Sequence, residues 1–188
     1  MSANDELHMH FVSTREEAHE MAKGHEKYWV SNCGCREGVE KERGTPCARS
    51  RMDVCLFWAP WESGSGSGKW ERTPEQVEEL FKLAQEAKLV TRPFRNDKDP
   101  SKIDGICLCC DDCCGYFGES DYTSDKGKSI ESTKLDNCTH CGECEAICYF
   151  GSRKLVDGTL TIDREKCFGC GLCRDVCPTD CIEMVNRV

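Results

Sequence analysis

Apolar residues return at helical spacing at two places in the first ninety positions. Over 14–29, Ala18, Met21, Ala22, His25 and Trp29 fall on one face, with Ser13 and Glu16 placed as a capping box, so a first helix is predicted. Over 73–87, Thr73 caps, Pro74 opens and Gln76 completes a box, while Val77, Leu80, Phe81, Ala84 and Ala87 form an apolar stripe. Between them a further helix over 46–57 follows from Thr45 as cap and Pro46 in the first turn. The Ser-Gly tract at 63–68 has the composition of a flexible surface loop. Two strands, 88–94 and 103–110, are expected to pair across the polar segment 96–102. Three helices and a hairpin predict a small, mainly helical, winged-helix-like unit over residues 1–117. Residues 118–129 are polar and turn-rich and read as a linker. A second unit over 130–188 contains the strand-like run 158–162, with Leu135, Ile147, Leu172, Val176, Ile182 and Met184 as its expected apolar shell. The fold class is therefore α+β in two domains.

Cysteine changes this picture most, with 18 in 188 residues. Two runs stand out: C-T-H-C-G-E-C-E-A-I-C (Cys138, Cys141, Cys144, Cys148) and C-F-G-C-G-L-C-R-D-V-C-P (Cys167, Cys170, Cys173, Cys177). Three thiolates two residues apart wrap one iron–sulfur cube, and the fourth, three residues on, ligates the other. Cys138, Cys141, Cys144 and Cys177 then hold one cluster, and Cys167, Cys170, Cys173 and Cys148 the second. Zinc is the competing metal, but its tetrahedral sites have no use for a third cysteine at the same spacing. Residues 130–188 resemble a bacterial-type two-[4Fe-4S] ferredoxin domain, down to Gly142, Gly171 and the C-P-T-D-C-I ending. Tyr149 stands where that family usually has proline. Cys181 is surplus to the eight ligands and reads as a small buried side chain. His140 reads as a solvent-facing loop residue, with a contact to cluster sulfur as the competing role.

Nine further cysteines crowd the amino-terminal half: Cys33, Cys35, Cys47, Cys55, Cys107, Cys109, Cys110, Cys113 and Cys114. Packing is a poor account of five reactive side chains within I-C-L-C-C-D-D-C-C, so they are read as metal ligands. In an extended strand Cys107 and Cys109 face one way and Cys110 the other, and a single cluster needs a turn at Asp111–Asp112. A further 4Fe-4S cluster with spare thiols, two small sites, or a larger cluster all fit nine sulfurs. A zinc site built from four of them, or a vicinal-disulfide relay, fits as well. Ligand softness and the neighbouring clusters favour iron–sulfur. The stretch 28–117 resembles an uncharacterised Cys-rich region that precedes dicluster ferredoxins in anaerobic bacteria and archaea, and the resemblance implies no activity. His8, His10, His19 and His25 lack partners at metal-binding offsets and are read as helix-surface, core-edge or polar-segment residues.

The formal net charge of -9 gives nucleic acid no electrostatic footprint. Acidity on both halves points instead to a redox partner with a basic docking patch. The polar residues 1–11 argue against a secretory leader, and no apolar run reaches membrane-span length. A reducing, anaerobic cytoplasm suits so many unpaired thiols. Neither a G-x-G-x-x-G turn nor a Walker pattern occurs, Asp111–Asp112 reads as a solvated turn, and Trp29, Trp58, Trp61 and Trp70 read as core or interface residues. The expected function is relay of single electrons between anaerobic oxidoreductases. Two further readings are a small iron–sulfur reductase with a catalytic amino-terminal site, and a redox-sensing regulator.

Overall fold

The computed structural model describes residues 7–58, 65–117 and 123–188. Helix α1 (Arg15–Ala22) starts one residue later than its sequence suggests. Thr14 accepts from the Glu17 amide and Glu17 returns the bond, because Ser13 is buried and bonded to Thr91. The helix stops before Gly24, and Tyr28–Ser31, including Trp29, forms strand β1 instead. Helix α2 occupies Gly34–Arg43 and ends on Gly44 in the left-handed conformation (φ 72°). The helix expected over 46–57 is absent: residues 44–54 are irregular and Cys55–Phe57 is strand β2. A proline-led cap signal lost there to a three-residue run buried on both faces, which carries no alternation to mark it as a strand.

Strand β3 (Trp70–Arg72) leads into α3 (Pro74–Glu86), which keeps its predicted Thr73–Gln76 box and buries Val77, Leu80, Phe81 and Ala84. Strands β4 (Val90–Arg95) and β5 (Ile103–Cys109) pair antiparallel as expected. They do not form the wing of a winged helix, because both belong to a five-stranded antiparallel sheet of order β3-β1-β2-β5-β4. The amino-terminal half is a helix-covered sheet, which corrects the mainly helical expectation. One face, with Val30, Leu56, Ile106 and Leu108, packs on α1 and α3. The other carries Cys55, Phe57, Phe94 and Cys107. Ser65–Gly68 is also no free loop. Ser67 bonds Glu37 and Asn32, and a side chain at Gly66 would run into the Asn32 carbonyl; Ser63, Gly64 and Trp61 lie outside the described residues.

The carboxy-terminal half pairs β6 (Ser129–Thr133) with β9 (Ile182–Asn186), and β7 (Arg153–Val156) with β8 (Thr159–Ile162). Two one-turn helices, α4 (Glu143–Ala146) and α5 (Leu172–Asp175), sit in equivalent places in the two cysteine runs, each entered through a left-handed glycine, Gly142 or Gly171. Leu135, expected in the shell, is half exposed. The halves are closely joined. Val12 and Val90 share a core cluster with Ile147 and Leu172, Arg15 pairs with Asp175 at 2.5 Å, and Asp125 bridges to Phe11. The described part of the predicted linker is therefore fastened down, with Gly127 donating to the Phe168 carbonyl at 2.9 Å.

Candidate metal centres

In the carboxy-terminal half each hollow draws cysteines from both runs. The first is lined by Cys138, Cys141, Cys144 and Cys177, with Leu160, Cys181 and Ile182 beside them. The second is lined by Cys148, Cys167, Cys170 and Cys173, with Ile147, Phe168 and Met184. All eight thiols are free. Gly169 (φ 83°) and Gly171 (φ 81°) carry the backbone around the second hollow, and a Cβ at Gly169 would collide with the Ser129 carbonyl. Such a cradle lets backbone approach a cluster closely. Gly169→Ala is expected to cost about 1–3 kcal/mol and to loosen the second site; thermal unfolding and iron retention check this. Two sets of four soft donors in polar-poor hollows, with backbone amides nearby, fit one cube each.

Charged groups that carry no signal in the sequence pattern surround these sulfurs. The Arg153 and Glu131 side chains are each 1% exposed and pair at 2.7 Å, while Arg153 Nη1 donates to Cys144 Sγ at 3.4 Å. Burial opposes the charge of Arg153, but Cys173, Cys144 and Glu131 outweigh it and hold its pKa above the usual arginine value. His140 does not face solvent as expected: its Nδ1 accepts from the Leu160 amide at 3.0 Å, tying the first binding loop to β8. Its backbone amide donates to Cys138 Sγ at 3.4 Å. Cys181 is buried, as expected, and lies 3.5 Å from Cys177 Sγ.

The nine amino-terminal sulfurs separate into two groups. Strand alternation places Cys55 and Cys107, directly paired across β2 and β5, on one face, and Cys110 in the core on the other. Six thiols follow one another in an open series, Cys33, Cys35, Cys114, Cys109, Cys107 and Cys55, each shifting the ionisation of the next. Cys33 is drawn down to about 6 by the Cys35 thiol. Cys35 is pushed up by Cys114 and Cys33, and Cys114 is pulled down to about 2 by Cys109 and Cys35. Cys107, between Cys109 and Cys55, is raised, and Cys55 falls to about 6 because Cys107 donates to it. Arg92 Nη1 reaches Cys114 at 3.5 Å and Cys109 at 3.8 Å. His10, expected to be only a polar-segment residue, has its Nε2 3.7 Å from Cys107 Sγ.

The remaining three, Cys47, Cys110 and Cys113, have ligand atoms all within 4.8 Å of one another. The turn expected at Asp111–Asp112 is present. Its carboxylates are engaged, Asp111 with Arg49 and Asp112 with Arg43 and the Ala48 amide, in keeping with a turn and not a catalytic dyad. Arg36 is 1% exposed and donates to Leu108 O and Cys110 Sγ. It follows directly on C-G-C, so the sequence held a signal for it; Arg92 and Arg153 stand alone on strands and carried none.

Aromatic side chains fill the space between the halves. Tyr116, two residues past Cys114, lies under the Arg92 guanidinium (3.9 Å to the ring centroid) and meets Phe150 and Phe168 edge-on. Phe150 and Phe168 stack at 4.6 Å beside the second hollow. Tyr149 is raised to about 12 by burial, against the pull of Arg49, and senses both Cys110 and Cys170.

This fold and its two interleaved cysteine sets define a dicluster iron–sulfur protein. Comparison with known proteins agrees: the 4Fe-4S binding domain matches at residues 160–183 and again at 135–151. The chain belongs to the ferredoxin-like 4Fe-4S proteins, being 40% identical over 55 residues to a ferredoxin-like protein in the vnf region of Azotobacter chroococcum, 26% of this chain and 85% of that one. It is 31% identical over 90 residues to an uncharacterized ferredoxin of Methanocaldococcus jannaschii, covering 48% of this chain and 57% of that protein. It is also 37% identical over 60 residues to one subunit of an ion-translocating oxidoreductase complex of Methanosarcina acetivorans, covering 32% and 23%. The chain thus spans less than two thirds of these last two relatives. Two [4Fe-4S] clusters are its cofactors, and among the described residues no helix is long and apolar enough to cross a membrane.

Proposed function

We propose that this chain relays single electrons between oxidoreductases, with Cys138, Cys141, Cys144 and Cys177 holding one cluster and Cys148, Cys167, Cys170 and Cys173 the other. The observation that carries this is the sharing of cysteines between runs, four around each hollow. Fully ligated clusters of this kind supply one-electron transfer and leave no iron open to substrate. The apolar shell of Ile147, Leu172 and Phe168 excludes water from the second site and disfavours the more anionic reduced state. Arg153 and the backbone amides pull the other way.

The six-sulfur series of Cys33, Cys35, Cys55, Cys107, Cys109 and Cys114 is the proposed seat of a further iron–sulfur cluster. Arg92 compensates its negative charge, and the Tyr116–Phe150–Phe168 contacts join it to the second ferredoxin site. The amino-terminal half thus lengthens the wire. A helix-covered sheet with acidic net charge gives no support to a DNA-binding sensor. The electron partner is proposed to dock through a basic patch in a reducing cytoplasm, as the charge suggests. Iron analysis and redox titration of the anaerobically purified chain test the proposal. More than eight irons, with at least two reversible one-electron couples, are expected. Fewer than eight, or none reducible, would sink it.

A further inference from the structure

We propose that Cys47, Cys110 and Cys113 form a mononuclear site for zinc, separate from every iron–sulfur centre in the chain. Spacing is the first argument. Cys110 Sγ lies 3.5 Å from Cys47 Sγ and 3.6 Å from Cys113 Sγ. Three thiolates bonded to one tetrahedral ion at about 2.3 Å stand about 3.8 Å apart, whereas thiolates on a cube each bind a different iron and stand farther apart. The structure contains its own standard for comparison. Among the described residues no three of the ferredoxin cysteines come within 4.8 Å of one another, and this trio does. A disulfide is not the explanation, since its sulfurs would stand at about 2.05 Å and all three thiols are free.

Charge is the second argument. Three thiolates around a dication leave one negative charge, and Arg36 supplies one positive charge at 3.6 Å from Cys110 Sγ. Arg36 is 1% exposed, and its Nε and Nη1 have no hydrogen-bond partner. Buried donors left this way are costly unless an anionic acceptor faces them, and metal-bound thiolate sulfur is such an acceptor. The donor set is all sulfur, which selects zinc over magnesium or calcium.

The fold shows what the ion does. Cys47 lies in the irregular segment 44–54, and Cys110 and Cys113 flank the turn that ends β5. One ion fastens this segment to the sheet, assisted by Asp112 on the Ala48 amide. Loading releases the remaining thiol protons to solvent, and the fourth position falls to water or to Asp112, whose Oδ2 is 3.6 Å from Cys113 Sγ. The site transfers no electrons and stands whether or not the other six sulfurs carry a cluster.

The test uses the full chain, purified without oxygen and reconstituted with iron, sulfide and Zn2+. One zinc per chain is expected, with a zinc-edge absorption spectrum showing three sulfurs at about 2.3 Å and one lighter ligand. Cys47→Ser and Cys113→Ser should each lose the zinc and keep all iron, and Cys107→Ser should keep the zinc. Arg36→Met should weaken zinc retention against a chelator about 10–100-fold. If the serine variants fail to fold, the wild-type spectrum and the Arg36 competition decide. Wild-type protein without zinc, a sulfur count other than three, or iron lost in place of zinc from Cys47→Ser would each overturn the assignment.

Discussion

Cys148→Ala should empty the hollow bounded by Cys167, Cys170 and Cys173 and leave its own run's site, bounded by Cys138, Cys141 and Cys144, loaded. The expected loss is about four irons of the ferredoxin eight. The reason is geometric: Cys148 lines the second hollow with the later run, and Cys177 lines the first with the earlier one. Iron analysis with the reduced-state paramagnetic spectrum distinguishes which cluster goes. The mirror experiment has a twist. Cys181 Sγ sits 3.5 Å from Cys177 Sγ in the same hollow, so Cys177→Ala should retain the first cluster with Cys181 as substitute ligand, and only Cys177→Ala with Cys181→Ala should lose it. Loss of the first cluster from Cys148→Ala would mean that each run closes its own site, and the interleaved assignment would be wrong.

The grouping of four cysteines around each hollow was legible because ligand spacing is a local property: four cysteines within eleven positions dictate where sulfur can point. Helix α3 was legible for the same reason, since its box and apolar stripe lie within one stretch of chain. What escaped was set by distant partners. Strands β1 and β2 are short and buried with little alternation, and only pairing to each other and to β3 and β5 makes them a sheet. The division of nine cysteines into six and three follows from that sheet, because β5 sends Cys107 to one face while Cys110, just past its end, enters the core on the other. Strand parity was visible in the sequence; that Cys33, Cys35 and Cys114 would close on Cys107 and Cys109, and Cys47 on Cys110, was not. The pairing of Arg153 with Glu131, 22 residues apart and both inside the ferredoxin core, was equally hidden.

That pair gives the second large effect, in which stability and potential part company. Glu131→Gln leaves Arg153 buried without its carboxylate, and Arg153→Met leaves Glu131 with the Thr133 hydroxyl and the largely exposed Arg164, at 2.9 Å. Removing one member of a buried pair costs about 3–5 kcal/mol, and nearby cluster sulfur softens the loss for Glu131→Gln, so both variants should melt lower. Their cluster potentials should move in opposite directions. Reduction adds negative charge, so a neighbouring cation favours the reduced state and a neighbouring anion disfavours it. Arg153→Met should therefore lower the potentials of both sites, since its guanidinium touches Cys144 and lies near Cys173. Glu131→Gln should raise that of the second site, whose hollow Glu131 lines. One charge at about 10 Å in an effective dielectric of about 20 is worth about 1.7 kcal/mol, on the order of 70 mV for a one-electron couple. Redox titration followed spectroscopically reads both shifts on one protein scale. Shifts of the same sign in the two variants would show that they act by loosening the fold and admitting water, and the buried pair would then be a structural clamp with no part in setting the potential.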